Sequence, residues 1–208
     1  EGCFDTRSLT KYWKTTRYKQ YNPHNYLPSE ISVDDGLKEK TVRTIYTVDL
    51  NHIPLYSEMC GNTGNRITDP VEIRTYDNSG LIQKELHTYK KNEKNGSFVP
   101  DAVYNYYRGS PRPASDFDGS NISQYGLPDY MFSCYDKYDN VIEVKSRTGE
   151  SEVYIYGYGG RYVIARIQNA TLEEVEKAGI GAVDSFATGT ELSEEEWNKL
   201  NALRILLP

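Results

Sequence analysis

Alternating hydrophobic and polar residues recur along the middle of the chain and predict β-strands. The first such run lies at 42–48. The clearest hairpin follows, with strands predicted at 71–76 and 81–89 on either side of the polar turn Asp77–Gly80. A further tyrosine-rich strand is predicted at 103–107, so consecutive antiparallel strands are the expected outcome.

The same pattern returns beyond residue 129 and predicts a β-meander. Short turns separate its strands, which are predicted at 130–135, 141–146, 153–156 and 162–167. The intervening segment 109–129 contains three prolines and three glycines, and it is interpreted as a long surface loop.

The last forty residues change to a helical period. Thr171–Glu174 and Ser193–Glu196 are Ser/Thr-x-x-Glu capping boxes, each of which predicts a helix start. In the first helix Leu172 and Val175 are expected to face inward, with Gly179 as its stop. The second carries an apolar stripe expected to dock on the sheet: Trp197, Leu200, Leu203 and Leu207.

These patterns predict a mainly β fold, namely an antiparallel β-meander of tyrosine-rich hairpins with two short C-terminal α-helices (β-rich α+β). Three regions are expected. Residues 1–40 form an irregular or edge segment, residues 41–168 form the hairpin domain with its loop near 109–129, and residues 169–208 form a helical segment packed on the sheet.

Tyrosine accounts for 19 of the 208 residues. Its ring covers a pleated sheet face while its hydroxyl stays in water, so the composition favours thin sheets with both faces partly exposed. An ordinary β-domain with an unusual composition is the alternative interpretation.

Charge and cysteine content exclude some functions. The net charge is −6 without a basic cluster, which argues against nucleic acid as a partner. No stretch approaches the ~20 apolar residues that span a bilayer, and an export signal, if one exists, is expected outside this chain. Cys3, Cys60 and Cys134 allow at most one internal disulfide and are expected to be buried or half-buried free thiols.

Catalytic and metal-binding patterns are weak. His24, His52 and His87 have no spacing that relates them to a cysteine or carboxylate cluster, and no metalloprotease, nucleophile-elbow or phosphate-loop motif is present. Segment 116–121 resembles a calcium loop but lacks the full ligand series, and an adventitious loop is the preferred interpretation. Neither an enzyme nor a cofactor is therefore expected.

Two tyrosine-aspartate turns carry a resemblance to a known family. In Tyr76-Asp77-Asn78-Ser79-Gly80 the aspartate can accept turn amides and the glycine can supply a positive φ. Tyr135-Asp136 opens a second such turn, in which Asp139 occupies the glycine position and Asn140 precedes the next strand. Both turns resemble the unit of YD repeats, although they lie 59 residues apart rather than in close tandem.

The run 135–171 is similar to the segment that follows the repeats in RHS-like proteins of Bacteroidetes, and 201–208 is similar to that family's next segment. The resemblance implies a non-enzymatic structural or interaction segment of a large exported bacterial cell-surface protein. Its implied partners are the remainder of its own polypeptide and a cell-surface protein or glycan. A further strand region rich in tyrosine and threonine is expected to follow this chain.

Two other functions remain open. Exposed aromatic faces, with Tyr12, Trp13 and Tyr18 as candidates, can stack on sugar rings and would make the chain a carbohydrate-binding module. A hydrolase-accessory or toxin-associated role follows only from what relatives of RHS proteins do.

Overall fold

The structure is a computed structural model that describes these residues: 3–4, 11–12, 14–62, 64–110, 112, 114–119, 121–187 and 191–206. It is mainly antiparallel β, as predicted. Its strands are β1 (Cys3–Phe4), β2 (Lys11–Tyr12), β3 (Thr15–Tyr21), β4 (Pro28–Asp34), β5 (Glu39–Tyr46), β6 (Pro70–Asp77), β7 (Gly80–Lys91), β8 (Phe98–Tyr107), β9 (Tyr130–Tyr135), β10 (Val141–Ser146), β11 (Ser151–Gly157) and β12 (Tyr162–Gln168). The α-helices are α1 (Pro54–Cys60), α2 (Leu172–Val175) and α3 (Glu194–Leu206).

Strands β3 to β12 form one ten-stranded sheet in which the spatial order follows the sequence order. Such a meander is expected where turns are short, because consecutive strands then pair with each other. Strands β1 and β2 pair separately. The chain divides into two compact units, the first formed by 1–88 and 103–127 and the second by 89–102 and 128–208.

The first unit has a core rich in aromatic residues. Val71 on β6 and Leu86 on β7 are fully buried. Phe117, from the segment between β8 and β9, contacts the rings of Tyr56 on α1 and Tyr125 edge to face, with centroids 6.4 and 6.5 Å away. Helix α1 and the 109–129 segment therefore supply the aromatic part of this core.

The second unit has an aliphatic core between its strands and the C-terminal helices. Val153 and Ile155 alternate along β11 and are fully buried. Both predicted capping boxes are formed, and each starts its helix. Val175 and Leu200 from α2 and α3 join the same apolar cluster, so the helices pack where the pattern predicted.

Two expectations are changed by the structure. The segment 1–40, expected to be irregular or edge structure, contains the regular strands β3 and β4, and β3 is the edge strand of the described sheet. Every residue of β3 is exposed, so no hydrophobic alternation marks the strand. Trp197 was placed in the apolar stripe of α3 but is 51% exposed. The side chains of Leu203 and Leu207 lie outside the described residues.

The 109–129 segment is irregular, as predicted, but it is more than a surface loop. Phe117, Tyr125 and the guanidinium-bearing Arg112 are all buried. Arg112 donates to the backbone carbonyls of Asn105 and Tyr125 at 2.7 and 3.0 Å. These contacts fix the segment onto the first unit.

Candidate functional site

The turn after β6 satisfies its own polar groups. Asp77 accepts from the Ser79 amide at 2.8 Å and from the Ser79 hydroxyl at 2.7 Å. Arg108 donates to the same carboxylate at 2.8 Å. Gly80 has a φ of 112°, a value that favours glycine. Tyr76, Asp77 and Gly80 thus hold a tight hairpin and leave the carboxylate occupied.

The turn at Asp77 gives a prediction for the pH dependence of stability. Hydrogen bonds from Arg108 and Ser79 hold the pKa of Asp77 well below its ordinary value of 3.8. A lowered folded-state pKa stabilises the fold above pH 3.8, and this stabilisation is lost as the pH falls through the folded-state pKa. Asp77→Asn should therefore narrow the difference in unfolding midpoint between pH 7 and pH 3, measured by urea denaturation. An unchanged difference would contradict this role. Asp35→Asn gives a comparison with a turn aspartate whose pKa is lowered by a backbone amide, that of Lys38.

The turn after β9 is longer and more buried. Asp136 is only 2% exposed and accepts from the amides of Tyr138 and Asn140 at 2.8 and 2.9 Å. Asn140 donates to Asp136 and to the Gly160 carbonyl. Asp139, in the glycine position, adopts a φ of 67°, which aspartate tolerates better than most residues. Tyr135, Asp136 and Asn140 therefore come together as predicted from their spacing.

A buried asparagine joins this turn to the hairpin between β7 and β8. Asn92 is 4% exposed and donates to the carboxylate of Asp139 at 2.8 Å and to the Asp136 carbonyl at 2.7 Å. Its side-chain oxygen accepts from the Lys94 amide in its own turn. The Tyr135 hydroxyl donates to the Pro100 carbonyl on β8 at 2.7 Å. We call this set of contacts around Asn92 the second clamp.

The first unit contains the same set of contacts between β3, β4 and β5. Asn22 is 3% exposed and donates to Asp49 at 2.7 Å, while its side-chain oxygen accepts from the His24 amide at 2.9 Å. The Tyr46 hydroxyl donates to the Pro28 carbonyl on β4 at 2.7 Å. We call this set the first clamp.

The two clamps match in chain order as well as in chemistry. Each asparagine follows the first strand directly, each proline carbonyl lies near the start of the middle strand, and each tyrosine ends the third. Each asparagine turn also contains a residue with positive φ, Tyr26 in one and Gly96 in the other. The same arrangement of three strands joined by a clamp therefore occurs twice in the structure.

The tyrosine-aspartate turns did not predict this repeat, because only one of them, at Tyr135, belongs to a clamp. The local signal is an Asn-x-x-Asn pair, at 22–25 and at 92–95, with a proline six or eight residues after its first asparagine. The second asparagine of each pair, Asn25 or Asn95, donates to a backbone carbonyl across the strand ends. The signal is short, and only the structure shows which carboxylate it meets.

The two three-strand arrangements differ in the connection that leads from the third strand to the next strand along the chain. In the second unit the turn 136–140 closes with a bond from the Asp136 amide to the Asn140 carbonyl at 3.0 Å. In the first unit the segment 47–69 occupies this place and closes with a bond from the Thr47 amide to the Asp69 carbonyl at 2.9 Å. Helix α1 lies within this longer connection.

A buried ionic cluster on β6 and β7 is the second polar site of the first unit. Glu72 and Lys84 are both fully buried, with 3.7 Å between carboxylate oxygen and ammonium nitrogen. Arg74 donates to Glu72 through Nε at 2.7 Å and to Asp116 at 2.6 Å. Lys84 also donates to the Tyr125 hydroxyl and lies over its ring, with the centroid 4.6 Å away.

The residue types of this cluster are those of an acid-base site, but its buried charged groups are already hydrogen-bonded to other groups of the protein. Burial lowers the pKa of Lys84, although the Glu72 carboxylate opposes that shift. Glu72 further accepts from the Phe117 amide, and Lys84 donates to the Ser115 carbonyl. Both contacts come from the 109–129 segment, so the ionic groups fix that segment to the sheet.

Metal and thiol chemistry receive little support. Among the residues that the structure describes, no group of three or more His, Cys, Asp or Glu side chains is placed to hold a metal ion. In the proposed calcium loop Asp116 pairs with Arg74, and Asp118 accepts from the Asn121 amide. Cys60 and Cys134 are partly buried free thiols, as predicted, and burial raises the pKa of both.

The residues predicted to stack on ligands are described only in part. The backbone of Tyr12 lies in β2, its side chain is not described, and Trp13 lies outside the described residues. Tyr18 on β3 is 60% exposed, and its ring stacks on that of Tyr21 with centroids 6.4 Å apart.

Within the described part of the chain, none of the helices has the length and apolar character needed to cross a bilayer. Comparisons with protein-family models, curated proteins and solved structures found no match to this chain.

Proposed function

We propose that this chain is a non-enzymatic structural or interaction segment of a large exported bacterial cell-surface protein of the YD-repeat (RHS-like) type. The observation that carries the proposal is the repeated clamp. In each clamp an asparagine donates to an aspartate carboxylate and a tyrosine hydroxyl donates to a proline carbonyl, and together these bonds join the ends of three successive strands. A repeated set of contacts that joins neighbouring hairpins is typical of a scaffold built from stacked units.

The chemistry of the buried cluster supports the same proposal. A catalytic acid or base must reach its substrate, whereas Glu72 and Lys84 have no exposed surface and bind each other, the backbone and Tyr125. The two tyrosine-aspartate turns likewise direct their carboxylates to amides of their own hairpins. These polar groups act within the fold.

Surface labelling of intact cells tests the cellular part of this proposal. Antibodies against this chain should label cells that produce the full-length protein without permeabilisation, while a cytoplasmic marker stays unlabelled. Replacing both clamp asparagines, as Asn22→Ala/Asn92→Ala, should make the surface protein sensitive to added protease. Labelling that requires permeabilisation would overturn the proposed location. Substrate turnover by the purified chain that is lost in Lys84→Met would overturn the non-enzymatic role.

Carbohydrate binding is a second candidate function, favoured by the stacked pair Tyr18 and Tyr21 on β3. Both rings are more than half exposed, which leaves an aromatic face open to the C–H face of a sugar. On a glycan array, Tyr18→Ala and Tyr21→Ala should each abolish binding by this aromatic surface. An array that remains blank with the wild-type chain would exclude it.

A further inference from the structure

A second aromatic surface lies in the second unit, on the sheet face opposite to the helices. A cleft of about 710 Å³ runs over β9, β10, β11 and β12. Val153 and Ile155 point into the apolar core, so their neighbours Glu152 and Tyr154 point into this cleft. Tyr130 and Phe132 line it from β9.

The floor of this cleft is aromatic and accessible. Tyr130 is 52% exposed, and Phe132 and Tyr154 are partly exposed. Tyr130 and Phe132 lie on β9, Val144 on the neighbouring β10 and Tyr154 on β11, so apolar side chains extend across three strands of this sheet face. Aromatic rings have few rotatable bonds and lose little entropy when a flat ligand stacks on them.

The walls of the cleft carry planar polar groups that already face each other. Arg166 donates to both oxygens of Glu152, at 2.6 and 3.1 Å. The same carboxylate accepts from the Tyr154 hydroxyl at 2.6 Å and from Gln168 at 3.1 Å. These four donors occupy the Glu152 carboxylate, which holds the Arg166 guanidinium in place. A guanidinium has five N–H donors, so Arg166 retains donors that can meet the hydroxyls of a ligand.

The charge of the cleft favours a neutral ligand. Its lining contains two arginines, Arg147 and Arg166, and three carboxylates, Asp129, Glu150 and Glu152. Arg166 pairs with Glu152, and Arg147 lies 3.9 Å from Asp129, so most of this charge is internally balanced. A polyanion would gain little attraction here.

We propose that this cleft binds a neutral oligosaccharide. Pyranose rings present C–H faces that stack on Tyr130 and Phe132, and their equatorial hydroxyls accept from Arg166 at the wall. This inference deepens the carbohydrate-binding candidate but places the site on different residues from Tyr18 and Tyr21. It is independent of the proposed scaffold role.

The test measures binding of the full 208-residue chain to defined neutral glycans by titration calorimetry. The probes are the hexasaccharides of cellulose, xylan, mannan, starch and chitin. At least one should bind, and Tyr130→Ala should weaken that binding tenfold or more. Arg166→Met should also weaken glycan binding, because it removes the guanidinium donors at the wall. Circular dichroism should show that both variants remain folded.

Two matched variants separate this site from other tyrosines. Tyr162→Ala removes a 65% exposed ring of the second unit that does not line the cleft, and it should bind as the wild type does. Tyr18→Ala should also leave binding unchanged. Binding lost only in Tyr18→Ala would overturn the cleft and leave the first aromatic surface as the sugar site. Binding to none of the five probes, or equal binding by Tyr130→Ala, would overturn the proposal outright.

Discussion

Replacing Glu72 with leucine should destabilise the first unit by about 3–5 kcal/mol, the range found when one partner of a buried ion pair is removed. The substitution places an apolar side chain of similar length at this position of β6. It leaves the fully buried ammonium of Lys84 without its carboxylate and removes the acceptor of the Phe117 amide. Arg74 loses its buried carboxylate partner and keeps Asp116, whose side chain is 78% exposed.

Urea denaturation followed by circular dichroism gives the free energy of unfolding. Hydrogen exchange at β6 and β7 then shows whether the loss lies in the first unit. Glu39→Leu is the matched control, because Glu39 forms an exposed salt bridge with Lys19 at 3.1 Å, and its loss should destabilise the fold far less than the loss of Glu72. The double variant Glu72→Leu/Lys84→Met should recover part of the loss. If Glu72→Leu costs no more than Glu39→Leu, the cluster does not hold the 109–129 segment as described.

Asn22→Ala and Asn92→Ala should each destabilise their own unit by about 1–3 kcal/mol, because each removes a buried side chain that makes several hydrogen bonds. In the second clamp the lost bonds are those to the Asp139 carboxylate, the Asp136 carbonyl and the Lys94 amide. In the first clamp they are those to the Asp49 carboxylate and the His24 amide.

Similar losses in the two units are the specific expectation, since the clamps share their geometry. Asn198→Ala, an exposed asparagine on α3, should change the free energy of unfolding by less than about 0.5 kcal/mol. Tyr46→Phe and Tyr135→Phe should each cost about 1 kcal/mol through the lost bond to a proline carbonyl. A large loss at one asparagine and none at the other would show that the two sets of contacts are not equivalent.

The alternation of residue types was sufficient to place most strands and to assign the fold class. Strands β9 and β10 have the predicted ends, because a tyrosine-aspartate turn and a polar turn bound them sharply. The capping boxes at Thr171 and Ser193 placed both C-terminal helices for the same reason. Such signals lie within a few residues of the feature they predict.

What the sequence could not predict depends on partners that are distant in the chain. Asn22 and Asp49 are 27 residues apart, and Asn92 and Asp139 are 47 residues apart, so no local period relates them. Glu72 and Lys84 are charged residues at inward positions of their strands. A reading based on hydrophobicity places such residues in solvent, and only the docked segment around Phe117 makes their burial tolerable.

The different connections after Tyr46 and Tyr135 have a consequence for how this sheet can change. Because side chains near the strand ends fix where the third strand stops and the fourth begins, the chain between them is free to vary in length. Lengthening a connection costs little, since the entropy of loop closure grows only with the logarithm of its length. Segment 47–69 shows such an extension carrying a helix of its own. A peptide inserted into segment 47–69 should therefore be displayed without any shift in the pairing of the strands, whereas the turn 136–140 has to keep Asp136, Asp139 and Asn140 in place.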